Sequence, residues 1–116
     1  MQFSIVVPCY NEEDVLPKFI ERVSAVINKE EYQDSEVILV DDGSSDNTWQ
    51  NISDISQKDV RFKGVKLSRN FGHQLALSAG LSESKGEKVF VCDADLQDPP
   101  ELLIEMNKRM TLEDAD

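Results

Sequence analysis

Four short apolar runs punctuate the chain, and a stretch with helical spacing follows each of them. The first run is Phe3-Ser4-Ile5-Val6-Val7, and behind it Val15, Leu16, Phe19, Ile20, Val23, Val26 and Ile27 recur at the period of an α-helix whose other side is charged. The second, Glu36-Val37-Ile38-Leu39-Val40, is β-branched and unbroken, as a strand covered on both faces should be. It stops at Asp41-Asp42-Gly43-Ser44-Ser45-Asp46, where Gly43 permits a tight turn and Asp46 can cap a helix bearing Trp49, Ile52 and Ile55 on one side. The third run is Gly64-Val65-Lys66-Leu67. The loop Ser68-Arg69-Asn70-Phe71-Gly72 then leads into Leu75, Ala76, Ala79 and Gly80, whose small side chains predict a helix packed closely on a sheet. The fourth run, Val89-Phe90-Val91-Cys92, ends in Asp93-Ala94-Asp95-Leu96-Gln97. Next, Asp98-Pro99-Pro100-Glu101 supplies an N-cap, a proline at the first helical position and a glutamate placed to close a capping box, ahead of a helix through Leu102, Leu103, Met106 and Met110.

Strand and helix patterns alternate from end to end, which predicts an α/β fold: a Rossmann-like, mostly parallel sheet of about four strands with helices on both faces. The 116 residues show no linker, repeat or shift of composition, so residues 1–116 are read as one unit.

Composition changes this picture mainly by exclusion. With 40% hydrophobic and 30% charged residues the chain has the makings of a core rather than of a disordered tract. Twelve basic against 23 acidic residues leave a net charge of −11, which argues against the phosphate-backbone footprint of a nucleic-acid binder. The two cysteines, Cys9 and Cys92, stand at the ends of apolar runs and read as buried, reduced thiols, too few to staple a secreted domain. The run from Phe3 to Pro8 lacks the basic start and the length of a signal peptide, and nothing approaches a membrane span, so the chain as given reads as soluble.

The chemistry gathers where the runs end. In open parallel sheets ligands bind beyond the carboxyl ends of the strands. Pro8-Cys9-Tyr10-Asn11-Glu12, Asp41-Asp42-Gly43-Ser44 and Asp93-Ala94-Asp95-Leu96-Gln97 would all meet at that edge. Carboxylates two residues apart at a buried strand's end can hold a hard divalent cation, and such a cation neutralises a diphosphate, which points to sugar-nucleotide chemistry. The neighbours Asp41 and Asp42 repel each other, so a ligand or donor should offset the cost; a plain turn is the rival reading. No G-x-G-x-x-G follows the first run, which speaks against a dinucleotide-dependent dehydrogenase. An aspartyl-nucleophile phosphatase carries its Asp-x-Asp on the first strand, whereas here that motif ends the fourth.

Taken together, P-x-Y-N-E at Pro8 to Glu12, V-D-D-G-S-x-D-x-T at Val40 to Thr48 and D-A-D at Asp93 to Asp95 resemble the inverting, GT-A-type family 2 glycosyltransferases over nearly the whole chain. Leu67 to Gln74 and Asp93 to Glu101 look like the branch that transfers a sugar from a nucleotide to a polyprenyl phosphate, as dolichyl-phosphate mannose synthases and bactoprenol glucosyltransferases do. The segment Arg69-Asn70-Phe71-Gly72-His73-Gln74 favours the bacterial lipid-carrier side.

That resemblance implies a donor site built from Pro8, Tyr10, Glu12, Val40, Asp41, Asp42, Asp93 and Ala94. Pro8, Tyr10 and Glu12 would line the nucleoside pocket, and Asp42, with Asp41 left open, would bond the base, whose ring N–H needs an acceptor. Asp93 would face the ribose or the metal-bound diphosphate, and Asp95 and Gln97 would ligate Mg²⁺ or Mn²⁺. Bland rivals stand beside these roles. Tyr10 could be a packing residue, Asp46 and Asp98 helix caps, Trp49 core, and Arg69 either a phosphate clamp or a solvated loop arginine; His73 is given no role.

The implied partners are a UDP- or GDP-linked sugar and a lipid-phosphate acceptor. A lipid phosphate, with a second pKa near ~6, is largely a dianion at neutral pH and can attack without a general base. Family members of this kind are longer, so the acceptor region, a catalytic base and any C-terminal membrane helices are expected beyond residue 116, with the work done on the cytoplasmic side. A sheet ending early would expose a strand edge, from which self-association is expected. Transfer to a saccharide, and a binding module without turnover, are the competing readings.

Overall fold

The computed structural model describes residues 2–94 and 100–114, with side chains in the last helix described as far as Arg109. The elements run β1 (Phe3–Cys9), α1 (Leu16–Ile27), a 3-10 turn (Glu30–Tyr32), β2 (Ser35–Asp41), α2 (Thr48–Lys58), β3 (Phe62–Lys66), α3 (His73–Glu83), β4 (Lys88–Val91) and α4 (Leu102–Asp114). All four apolar runs are strands. They form one parallel sheet in the order β3-β2-β1-β4, with Ile5 beside Val37 and Phe90.

Alternation along the strands sorts the core onto two faces. Phe3, Ile5, Val7 and Cys9 of β1 share one face with Val37, Leu39, Phe62 and Phe90, and are covered by Leu16, Phe19, Val23 and Ile27 of α1, Ile52 of α2 and Leu103 of α4. Val6, Ile38 and Val40 point the other way, onto Ala76, Leu77 and Ala79 of α3. Helices therefore lie on both faces. Gly80 is what lets α3 sit so close, since a Cβ there would stand 2.4 Å from Val6 Cγ1 and 3.0 Å from Val40 Cγ2.

The α3 face also buries a charge. Glu36 is fully buried, and its carboxylate accepts from Ser4 Oγ (2.5 Å), the Lys85 N–H (2.6 Å) and Lys63 Nζ (2.7 Å), while Ser4 Oγ accepts from the Gly86 N–H (2.7 Å). A buried carboxylate needs this many donors to offset its lost hydration. The network fastens the turn before β4 to β1 and β2, at the end of the sheet away from the candidate site.

Just ahead of α4, the two oxygens of Glu101 take a fork from Arg22 Nε and Nη2 of α1 (3.1 and 2.8 Å). The apolar positions expected of α4 divide between core and surface. Leu103 is buried, whereas Leu102 and Met106 are exposed. Lys88 Nζ donates to Asn107 Oδ1 (3.0 Å), and Asn107 Nδ2 donates to the Tyr32 hydroxyl (3.3 Å), which adds a polar tether to β4 and the 3-10 turn. Asp98, expected as the N-cap, lies outside the described residues. Among the described residues no helix is long and apolar enough to cross a membrane.

Candidate active site

At the carboxyl edge of the sheet the loops after β1 and β2 are bonded to each other through the polar residues of their own sequences. Asn11 adopts a left-handed backbone (φ 53°), which directs its side-chain Oδ1 at the Ser45 N–H (2.9 Å), while its own N–H donates to Ser44 Oγ (2.9 Å). The Glu12 N–H donates to Thr48 Oγ1 (2.8 Å) and the Glu13 N–H to Asp46 Oδ2 (3.2 Å). Asp46 Oδ1 accepts from both the N–H (2.9 Å) and the hydroxyl (2.5 Å) of Thr48, the first residue of α2. Burial works to raise the Asp46 pKa, but these bonds outweigh it and hold the carboxyl below its ordinary value. Asp46 is thus a positioning group at the start of α2, in line with the capping role its place in the sequence suggests.

The adjacent acids are reconciled by facing apart. Asp41, the last residue of β2, is buried, and its Oδ1 accepts from the Ser44 N–H (3.0 Å), while its Oδ2 has no hydrogen-bond partner among the described residues. Asp42 turns toward the loop after β3, where its two oxygens accept from the N–H groups of Phe71 (2.9 Å) and Gly72 (3.2 Å). Gly43, with φ +72°, makes the approach feasible: a Cβ there would stand 2.3 Å from both Arg69 C and Asn70 N. The loop after β3 is thereby fixed against the end of β2.

Between these loops opens a cleft of about 370 Å³. Six of the residues expected in a donor site line it together: Pro8, Tyr10, Glu12, Asp42, Asp93 and Ala94. Tyr10 is 46% exposed, so its ring belongs to the cleft wall and not to the core. Val40 and Asp41 are not among the lining residues; the Val40 side chain is fully buried under α3. Asp95 and Gln97 lie outside the described residues.

Asn70, Gly72 and His73 also line the cleft, and the sequence reading assigned them no part in it. The signal was present, because they follow β3 as the other clusters follow β1, β2 and β4. Arg69 is engaged elsewhere, its guanidinium 4.6 Å from the centre of the Phe71 ring. Cys9 forms part of the floor. Burial, reinforced by Glu12, Asp41 and Asp93, pushes its thiol far up, which makes it a neutral packing group and not a nucleophile.

The electrostatics of the cleft are one-sided. Glu12, Asp42 and Asp93 line it, and none of its described lining residues is lysine or arginine. Oxygen donors of this kind suit Mg²⁺ or Mn²⁺. Among the described residues no three acidic, histidine or cysteine side chains converge to enclose an ion.

A parallel α/β sheet with an acidic cleft at its carboxyl edge, lined by residues that follow all four strands, matches the fold of GT-A type glycosyltransferases. The chain belongs to glycosyl transferase family 2, whose model matches residues 4–116. It is 46% identical over 99 residues to an undecaprenyl-phosphate 4-deoxy-4-formamido-L-arabinose transferase of Pseudomonas fluorescens, a match that covers 84% of this chain and 29% of that protein. Among solved structures, S. aureus TarS 1-349 in complex with UDP-GlcNAc superposes with a TM-score of 0.67 at 30% identity, over 82% of this chain and 27% of that one. The mannosyltransferase PcManGT of Pyrobaculum calidifontis, in complex with GDP-Man and Mn²⁺, gives 0.69 at 26% identity, over 81% and 27%. The chain spans about a third of the length of the curated relatives it matches.

Proposed function

We propose that this chain is the donor-binding part of an inverting, divalent-metal-dependent glycosyltransferase that moves a sugar from a UDP- or GDP-sugar to a polyprenyl phosphate. The observation that carries this reading is the meeting of Pro8, Tyr10, Glu12, Asp42, Asp93 and Ala94 in one cleft. A nucleoside diphosphate is anionic, and a cleft lined by three carboxylates repels it unless a cation intervenes. The acidic lining and the Mn²⁺ found with GDP-Man in the Pyrobaculum enzyme support the same requirement.

In this reading Pro8, Tyr10 and Glu12 hold the nucleoside, Asp42 accepts the ring N–H of the base, and Asp93 faces the ribose or the diphosphate. The oxygens of Asp95 and Gln97 would hold Mg²⁺ or Mn²⁺. A cation bound there would neutralise charge gathering on the departing nucleoside diphosphate. The reaction is a single in-line displacement at the anomeric carbon with inversion, the lipid phosphate being the nucleophile in its dianionic form. Polyprenyl phosphate as acceptor is supported by the name of the Pseudomonas relative and by the Asp93 to Glu101 and Arg69 to Gln74 segments. Because the chain covers a third of such relatives, acceptor recognition and a membrane-associated, cytoplasm-facing setting are proposed for the parent enzyme. A thermal-shift titration tests the donor reading: UDP or GDP with Mn²⁺ should raise the melting temperature, and no shift with either nucleotide would remove its basis.

A further inference from the structure

We propose that two copies of this chain pair edge to edge through β4, antiparallel and two-fold related, so that their sheets become one. β4 is the outermost strand on its side of the order β3-β2-β1-β4, and among the described residues no strand lies beyond it. The Lys88 N–H donates to Gln2 O (3.0 Å) and the Cys92 N–H to Val6 O (3.0 Å), so the even-numbered residues of β4 bond toward β1. Backbone groups alternate in direction along a strand, which turns the N–H and C=O of Val89 and Val91 to the outer side. The surface around this edge is apolar on both faces. Val91, paired with Val6 on the α3 side, is 43% exposed. On the other side Leu102 and Met106 are exposed on α4, the helix that Asn107 ties to Lys88 of β4. The far edge of the sheet is blunted: β3 carries Lys63 and Lys66, with Gly64 between them against Ile52 and Trp49. Charges and a glycine make an edge strand a poor template for pairing.

A second copy is the occupant because β4 is complementary to itself in one register. In an antiparallel pair that continues a sheet, residues directly opposite share a face, and bonded pairs alternate with non-bonded ones. Setting Val89 opposite Val91 of the second copy uses both outward residues: each valine exchanges N–H and C=O bonds with its opposite number, and Phe90 faces Phe90 at the two-fold axis. Val89 and Val91 then meet on the α3 face, where apolar pairs directly opposite stabilise a sheet. A shift by two residues would put one of the valines opposite Glu87 or Asp93, and a shift by one would bring unlike faces together. A contact that uses the same patch on both copies closes at a dimer. The net charge of −11 on each copy opposes their approach, so the association is weak and strengthens as salt screens the repulsion, the reverse of an ion-paired interface.

Sedimentation equilibrium of the chain, at concentrations rising to millimolar and in low and high salt, tests this. The chain should pass from monomer to dimer and no further, with tighter association in high salt. Val91→Lys sets a charge into the pairing on the α3 face, and Val91→Pro removes an outward N–H at an edge position, where proline is tolerated. Each should weaken association by about ten-fold or more, in samples whose urea unfolding shows them to be folded. If Val91→Pro does not fold, Val91→Lys decides. Val60→Ser, which removes an exposed valine just before β3 at the far edge, should leave the dimer unchanged. A chain that stays monomeric throughout, assembles beyond a dimer or associates more tightly in low salt would overturn the proposal. So would association that survives the Val91 substitutions, or that falls as much in Val60→Ser as in Val91→Lys.

Discussion

Glu12 and Thr48 are joined across the carboxyl edge by a 2.8 Å hydrogen bond from the Glu12 N–H to Thr48 Oγ1. The Thr48 side chain is fully buried, and its hydroxyl also donates to Asp46, so one oxygen links the end of the first loop to the start of α2. Thr48→Val keeps the shape and removes the link: the Glu12 N–H loses the Thr48 hydroxyl as acceptor, and Asp46 loses one of its three donors while keeping the N–H groups of residues 48 and 13. Urea unfolding of this variant should show a loss of about 1–3 kcal/mol. An unchanged midpoint would mean that the link contributes nothing.

The Gly43 contact with the loop after β3 calls for a different probe. In Gly43→Ala the new methyl would meet backbone atoms of Arg69 and Asn70 at 2.3 Å, on a residue whose φ is +72°. Backbone atoms cannot swing aside as the tip of a side chain does, so the two loops must part. The expected cost is roughly 1–3 kcal/mol, accompanied by weaker nucleotide binding as the Asp42 clamp is pulled open. Unfolding by urea and a nucleotide titration measure the two effects separately.

The buried Glu36 network predicts how stability responds to acid. Burial alone would raise the Glu36 pKa, but the bonds from Lys63, Ser4 and the Lys85 N–H, with the Lys63 charge, outweigh it and hold the pKa below the ordinary value of 4.5. A group depressed in the folded chain adds stability that is complete above its unfolded pKa and is lost as pH falls through its folded one. Asp46, Asp59 and Glu101 are shifted in the same direction. The urea midpoint should therefore hold steady from neutrality toward about pH 5 and fall below it. Glu36→Gln should cost on the order of 2 kcal/mol at pH 7 and make the acid limb shallower. A midpoint that rises below pH 4.5 would contradict the assignment.

The strands and their order of use were legible because each is a short apolar run followed by a turn cluster. Which faces they bury was legible too, since a period of two leaves Val6 and Val7 no choice but opposite sides. The spatial order β3-β2-β1-β4 belongs to pairing between segments far apart in sequence and was not specified locally. In the site, motif residues marked the wall formed by β1, β2 and β4, but Asn11, Ser44, Asp46 and Thr48 of those motifs bond one another. Asn70 and His73 were given no place in the cleft, although they follow β3 as the other clusters follow their strands, because a single amide and a single imidazole form no acid pair of the kind that marked those clusters. The fork from Arg22 to Glu101 could not be read from the sequence, because the two residues are 79 positions apart.

The most direct test of the donor-site account is calorimetric titration of the chain with UDP and GDP, with and without Mn²⁺, repeated on Asp95→Ala. The account predicts binding of a nucleoside diphosphate that strengthens with Mn²⁺, and loss of that strengthening in the variant. Binding indifferent to both Mn²⁺ and Asp95, or no binding by a chain shown to be folded, would contradict it.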